Sequence, residues 1–273
     1  MQREIAGYVS ITLWLLVAVI PSLGFRLSDR FYYHGEYEKA RRLKNWLRWL
    51  HPLRDWPWQE ALYRAHTLLH QDNYAAAITL LEAAQCQPPT PEQICILFYL
   101  RRDWRGLITW WQQIGNQLPL KQRSSLYRYY LLALGETGTV KALVEEFQQE
   151  YPRLEKLPSQ LDYCYLYVFA FSGRVETVNK MMHAHILENI NPDMRAVWSA
   201  TAYLAAGQSE MAYALLRPLV RTAPNGIVRM AAEIRLQNPP PCAPALFTPA
   251  EKTLLMQIEQ EWRRRNQLTS VWQ

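Results

Sequence analysis

Histidine and cysteine are the side chains to weigh first for chemistry. His66 and His70 stand four apart, a spacing that puts two imidazoles on one helix face and can hold a metal ion. His183 and His185 form a second close pair. Neither pair has an acidic or cysteine ligand at a recognisable spacing, and H-E-x-x-H is absent. The four cysteines, Cys86, Cys95, Cys164 and Cys242, include no C-x-x-C pair and read as buried, reduced thiols. No phosphate loop of the form G-x-x-x-x-G-K-[ST] occurs, nor G-x-G-x-x-G, nor G-x-S-x-G. The nearest approach to a serine elbow, Gly207-Gln208-Ser209-Glu210, reads as a turn. These residues predict no catalytic centre, no metal, no cofactor and no small-molecule substrate.

A second group could act through charge and ring faces. The segment Arg41–Trp58, RRLKNWLRWLHPLRDWPW, interleaves basic residues with four tryptophans. Such a segment can stack on single-stranded nucleic acid, or lie on anionic lipid headgroups, or simply pack Leu43, Trp46, Leu47 and Leu50 beneath a solvated basic face. Charge placement favours the last two together. Residues 26–54 carry eight basic side chains against three acidic ones, whereas residues 65–247 carry sixteen against fifteen. A nucleic-acid surface would need a wider basic footprint. The expected headgroup contacts are Arg41, Arg42, Lys44, Trp46, Arg48 and Trp49.

The elements that must position these residues begin with an uncharged run of 21 residues, Ile5–Phe25, IAGYVSITLWLLVAVIPSLGF. A hydrocarbon core of about 30 Å takes about 20 helical residues, so the run predicts one membrane-spanning helix. A cleaved signal peptide is the rival, with Ser22 and Gly24 as small residues near a cleavage site. Glu4 in the leader, the length of the run and the basic cluster after it argue for an anchor. The same cluster places the remainder on the cytoplasmic side of a single-pass protein, as in a bacterial inner membrane. Beyond residue 25, Leu, Ala, Gln, Glu and Arg outweigh Val, Thr and Gly, a mixture that favours helices.

A short pattern recurs through this helical part. A turn residue is followed by an aromatic or aliphatic key position and, three further on, by a small or aliphatic one. The key positions 37, 74, 104, 140, 175 and 209 are separated by 37, 30, 36, 35 and 34 residues. Six before each stand Phe31, Leu68, Phe98, Leu134, Phe169 and Tyr203; seven after stand Lys44, Leu81, Trp111, Phe147, Met182 and Leu216. Fifteen after, four units carry Pro52, Pro89, Pro119 and Pro224. In this spacing and register the chain resembles the tetratricopeptide-repeat family, whose unit is a helix–turn–helix of 34 residues. Lys44 departs from the pattern in the first unit, and the third unit is short.

The resemblance implies an α-α solenoid over residues 26–238 whose first helices line a concave face. In register, that face includes Leu62, His66, Tyr99, Arg128, Tyr163, Tyr167 and Thr201, an aromatic groove with one cation suited to an amphipathic or extended peptide. The alternative is that these tyrosines pack between helices. The lysine–asparagine carboxylate clamp of chaperone-binding members is missing, since the matching pairs are Leu62/His66, Glu92/Ile96, Arg128/Leu132 and Tyr163/Tyr167. Residues 224–238 read as a further helix, and Pro239–Pro244 breaks the period. Thr248-Pro249-Ala250-Glu251 then opens a last helix by a capping box, expected to cap the solenoid end within 239–273.

The sequence therefore predicts an all-α chain: an N-terminal transmembrane helix (1–25), a tetratricopeptide-like solenoid and a C-terminal capping helix. The expected role is a non-catalytic scaffold holding a protein or peptide partner at the cytoplasmic membrane face. Two alternatives stay open. The tract from His51 to Leu69 is similar to the helical region preceding the catalytic membrane helices of some bacterial rhomboid-family proteases, although that family's G-x-S-G serine is missing. An RNA-binding helical repeat is the other.

Overall fold

The computed structural model describes residue 14 and residues 19–33, 36–49, 56–156, 158–183 and 190–270. Among these the secondary structure is helical throughout, as the composition requires, with fourteen α-helices and no strand. They are α1 (Ile20–Tyr33), α2 (Tyr37–Leu47), α3 (Trp56–His70), α4 (Tyr74–Ala83), α5 (Pro91–Arg101), α6 (Trp104–Ile114) and α7 (Leu120–Glu136). There follow α8 (Val140–Leu154), α9 (Pro158–Phe171), α10 (Val175–His183), α11 (Pro192–Ala205), α12 (Ser209–Thr222), α13 (Gly226–Gln237) and α14 (Pro249–Ser270). Two compact units divide between Thr90 and Pro91.

Every one of the six key positions is the first residue of a helix. The cause is a recurring local turn, described at five of the six. Two residues before the key position the backbone turns left-handed, with φ of 60° at Asp72, 56° at Arg102, 75° at Gly138, 73° at Gly173 and 78° at Gly207. The next N–H then reaches back to the carbonyl six before the key position. Asn73 donates to Leu68 (2.9 Å), Asp103 to Phe98 (3.0 Å), Thr139 to Leu134 (3.0 Å), Arg174 to Phe169 (2.9 Å) and Gln208 to Tyr203 (2.8 Å). Glu36 makes the same bond to Phe31 at 2.9 Å. This is a Schellman closure, which satisfies carbonyls left over at a helix end and hands the chain to an antiparallel neighbour. Asn73 and Asp103 also cap the following helix through their side chains.

Packing follows the same register. Three residues past each key position, Ala40, Ala77, Leu107, Leu143, Val178 and Ala212 are fully buried. Leu81, Trp111, Phe147, Met182 and Leu216, seven past, are buried as well. Lys44 is the exception seen in the sequence, and it is accommodated by polarity. Its ammonium reaches Asp29 (3.2 Å) and lies 5.4 Å from the Tyr63 ring centroid.

In the first unit, α1–α2 and α3–α4 are hairpins joined by contact between α2 and α3. In the second, the leading helices α5, α7, α9, α11 and α13 touch in series, while α6, α8, α10 and α12 each pack between their own leading helix and the next. The leading helices thus share one face and the second helices the other.

Two expectations change, and a third falls largely outside the described residues. Most of the Ile5–Phe25 run lies outside the described residues, and among the described residues no helix is long and apolar enough to cross a membrane. The end of that run is already part of a hairpin: Ile20–Phe25 opens α1, which continues to Tyr33 and packs on α2. The last helix begins where expected, with the Thr248 and Glu251 side chains and backbones bonded reciprocally (Thr248 N–H to Glu251 Oε2 2.6 Å, Glu251 N–H to Thr248 Oγ1 3.4 Å). It does not sit at the end of the helix series, however. α14 lies back along α8, burying Leu255, Ile258 and Trp262 in the core that holds Phe147, Tyr165 and Phe169. Finally, the cysteines are not all buried: Cys95 and Cys164 are, Cys86 is half-buried and Cys242 exposed, and all four are free thiols.

Candidate functional site

The shared face of the leading helices in the second unit is lined by rings. Tyr99 on α5 meets Trp104 (5.9 Å between centroids) and Tyr129 of α7 (6.1 Å), both edge-on. Arg128 lies over the rings of Tyr129 (4.9 Å) and Tyr163 of α9 (5.6 Å) and donates to the Tyr129 hydroxyl at 3.2 Å. Tyr163 touches Tyr167, which packs on Trp198 of α11 at 5.1 Å. Burial pushes the Tyr99 phenol up to about 12, with Tyr129 and Glu136 adding and Arg102 and Arg128 opposing, so the hydroxyl stays neutral at physiological pH.

Beside these rings is a cleft between α7, α11 and α13 with about 80 Å³ of water-accessible room. Tyr99, Leu132, Met194, Trp198, Met230 and Ile234 supply its apolar wall. That volume takes one apolar side chain, well below the several hundred Å³ of a small-molecule pocket. At one edge Arg235 of α13 binds Glu136 at the end of α7 with both terminal nitrogens, one bond measuring 2.7 Å. Its Nε donates to Thr201 Oγ1 (3.0 Å), whose own proton goes to the Val197 carbonyl (2.8 Å), and its guanidinium lies 5.4 Å from the Phe171 ring centroid. The pair is nearly enclosed, and all three guanidinium nitrogens donate, two to the carboxylate and one to Thr201.

The groove residues foreseen from register separate in the structure. Tyr99, Arg128 and Tyr163 are half-buried on the expected face and form one aromatic–cation group. Tyr167 and Thr201 are corrections: Tyr167 keeps only 8% of its surface exposed and Thr201 none, because neighbouring leading helices close over them. His66 belongs to the first unit and packs between helices. Its imidazole stacks on Tyr37 of α2 (5.0 Å, 20° between planes), and His70 meets the same ring edge-on at 6.4 Å. Burial holds the His66 imidazole down to about 4, so it is neutral. Trp198, Met194, Met230, Glu136 and Arg235 were missed, since the register marked only one or two positions per leading helix.

No cluster of three His, Cys, Asp or Glu side chains placed to hold a metal exists among the described residues. His183 is exposed at the end of α10, and His185 lies outside the described residues.

The basic segment also divides. Arg41 pairs with Glu38 on its own helix (3.0 Å) and with Glu60 of α3 (3.4 Å), and Lys44 reaches Asp29 of α1 and the Tyr63 ring. Of the six expected headgroup contacts these two are engaged within the protein, and their partners Glu60, Asp29 and Tyr63 on other helices do not show when one helix is read alone. Arg48 sits between the rings of Trp49 (5.7 Å) and Trp56 (5.9 Å). Arg42 is exposed, as are Trp46 (57%) and Trp49 (81%). Comparison of the chain with protein families, curated proteins and solved structures returned no match.

Proposed function

We propose that the chain is a membrane-tethered, tetratricopeptide-like adaptor that works by holding a protein or peptide partner. The observation that supports this most is the ring-lined face of α5, α7, α9 and α11 with its cleft beside Trp198. Rigid aromatic surface with a guanidinium and a pocket for one side chain is what a peptide hot spot requires. The side chains there supply contact area and no nucleophile–base pair. The basic stretch after the uncharged run supports a cytoplasmic orientation.

A photo-crosslinking residue in place of Met230, in the cleft wall, tests the reading in membranes from cells making the chain. A discrete crosslinked partner that is absent when the same residue replaces Gln148 on α8 supports it. Identical patterns from both positions, or none from Met230, would remove the cleft as the working surface.

A further inference from the structure

The open end of the first hairpin carries an unusual surface. α1 and α2 run antiparallel, with Ser28 Oγ donating to the Ala40 carbonyl at 3.1 Å and Asp29 paired to Lys44. At the open end they come so close at Gly24 that a Cβ there would stand 2.7 Å from both methyl carbons of the buried Leu47. Flanking that contact, Leu23, Leu27, Trp46 and Trp49 are all exposed. The opposite end carries the charges Glu36, Glu38 and Lys39.

Length adds a second argument. Because Ile20–Phe25 is engaged with α2, the uncharged run before α1 is Ile5–Val19, fifteen residues. As a helix it would rise about 22 Å, short of a hydrocarbon core of about 30 Å. The missing distance is close to the rise of the six residues Ile20–Phe25, about 9 Å. The run reaches across a bilayer when the open end of the hairpin lies in the interface with it. Exposed tryptophans suit that depth, and exposed Arg26 and Arg42 suit anionic headgroups.

We propose that the open end of the α1–α2 hairpin is seated in the bilayer interface, with Leu23, Leu27, Trp46 and Trp49 at the acyl boundary and Arg26 and Arg42 on headgroups. The proposal rests on the membrane-tethered reading above. To test it, the full chain is reconstituted in vesicles of phosphatidylcholine with a minority of phosphatidylglycerol, with and without acyl-brominated phosphatidylcholine. Tryptophan quenching by bromine reports rings at the acyl boundary. The W46F/W49F variant should lose about two thirds of the lipid-quenched emission, a roughly threefold fall, since Trp14 remains. Trp110→Phe on α6 should change nothing. Equal quenching in wild type and W46F/W49F, with quenching abolished by Trp14→Phe, would keep the tether and overturn the seated hairpin. A wild-type chain with no lipid quenching would overturn both. Trp46 and Trp49 are exposed, so the double variant should match the wild type in helicity by circular dichroism.

Discussion

Arg235 and Glu136 lie 99 residues apart in sequence and meet as a bidentate, nearly enclosed ion pair that ties α13 to the end of α7. The pair joins leading helices of non-adjacent hairpins, across the edge of the cleft.

Removing one partner leaves the other charge buried and unmatched. Glu136→Ala or Arg235→Ala should each cost about 3–5 kcal/mol. The double change Glu136→Leu with Arg235→Met should cost much less than the sum, because it removes both desolvated charges. A denaturation double-mutant cycle measures the coupling; additive effects would show that the pair contributes nothing as a pair.

The five left-handed turn residues described differ in what fills them. At Gly173 a Cβ would be 2.9 Å from the Ala206 backbone nitrogen, so Gly173→Ala meets both an unfavourable φ and a clash it cannot relieve by rotating a side chain. It should cost more than 1 kcal/mol, the ordinary magnitude for a φ-positive site. Arg102→Gly removes a strained conformation and should raise stability by a few tenths to about 1 kcal/mol. Thermal midpoints moving in opposite directions would establish the turn as the cause.

Two desolvated titrating groups should give opposite pH dependences. Between about 4 and 6.5 the unfolded His66 imidazole binds a proton that the folded one, desolvated against Tyr37, refuses. Stability from this site is therefore present above 6.5 and lost as the pH falls towards 4. Burial raises the Asp162 carboxyl from 3.8 to about 6, with Arg265 opposing, so between those values the folded state holds a proton that the unfolded chain has released. Its contribution is present at low pH and lost as the pH rises through about 6. Asp162→Asn should stabilise at about pH 7.5 more than at about pH 4, and His66→Phe should flatten the acid limb. Denaturation midpoints across this range check both; unchanged pH profiles would mean that the two groups titrate normally.

α14 is held by apolar and polar contacts together. Trp262 meets Phe169 edge-on at 6.0 Å, Glu259 accepts from Thr177 and pairs with Arg174 (3.6 Å), and Glu261 accepts from Tyr151 at 3.3 Å. Trp262→Ala should cost about 3–5 kcal/mol through the cavity it leaves. Trp262→Phe should cost less than about 1.5 kcal/mol, since the indole N–H is buried without an acceptor among the described residues. Hydrogen exchange should quicken in α8 and α10 in the alanine variant. Protection unchanged there would mean that α14 does not support those helices.

The sequence by itself determined the hairpins: where each second helix begins, which position after the turn is buried, and the capping box that opens α14. Those features are set by left-handed turns, end-of-helix hydrogen bonds and caps, which act over about six residues and leave their mark in residue type. The aromatic–cation group of Tyr99, Arg128 and Tyr163 was legible through the same register. Tertiary packing decided the rest. It buried Tyr167 while leaving Tyr163 half-exposed, paired Arg41 with Glu60 and Lys44 with Asp29 across helices, joined Glu136 to Arg235, and laid α14 along α8 instead of at the end of the series. Each of those outcomes depends on which surfaces of distant helices meet, and burial or ion pairing is a property of the meeting and not of either segment alone.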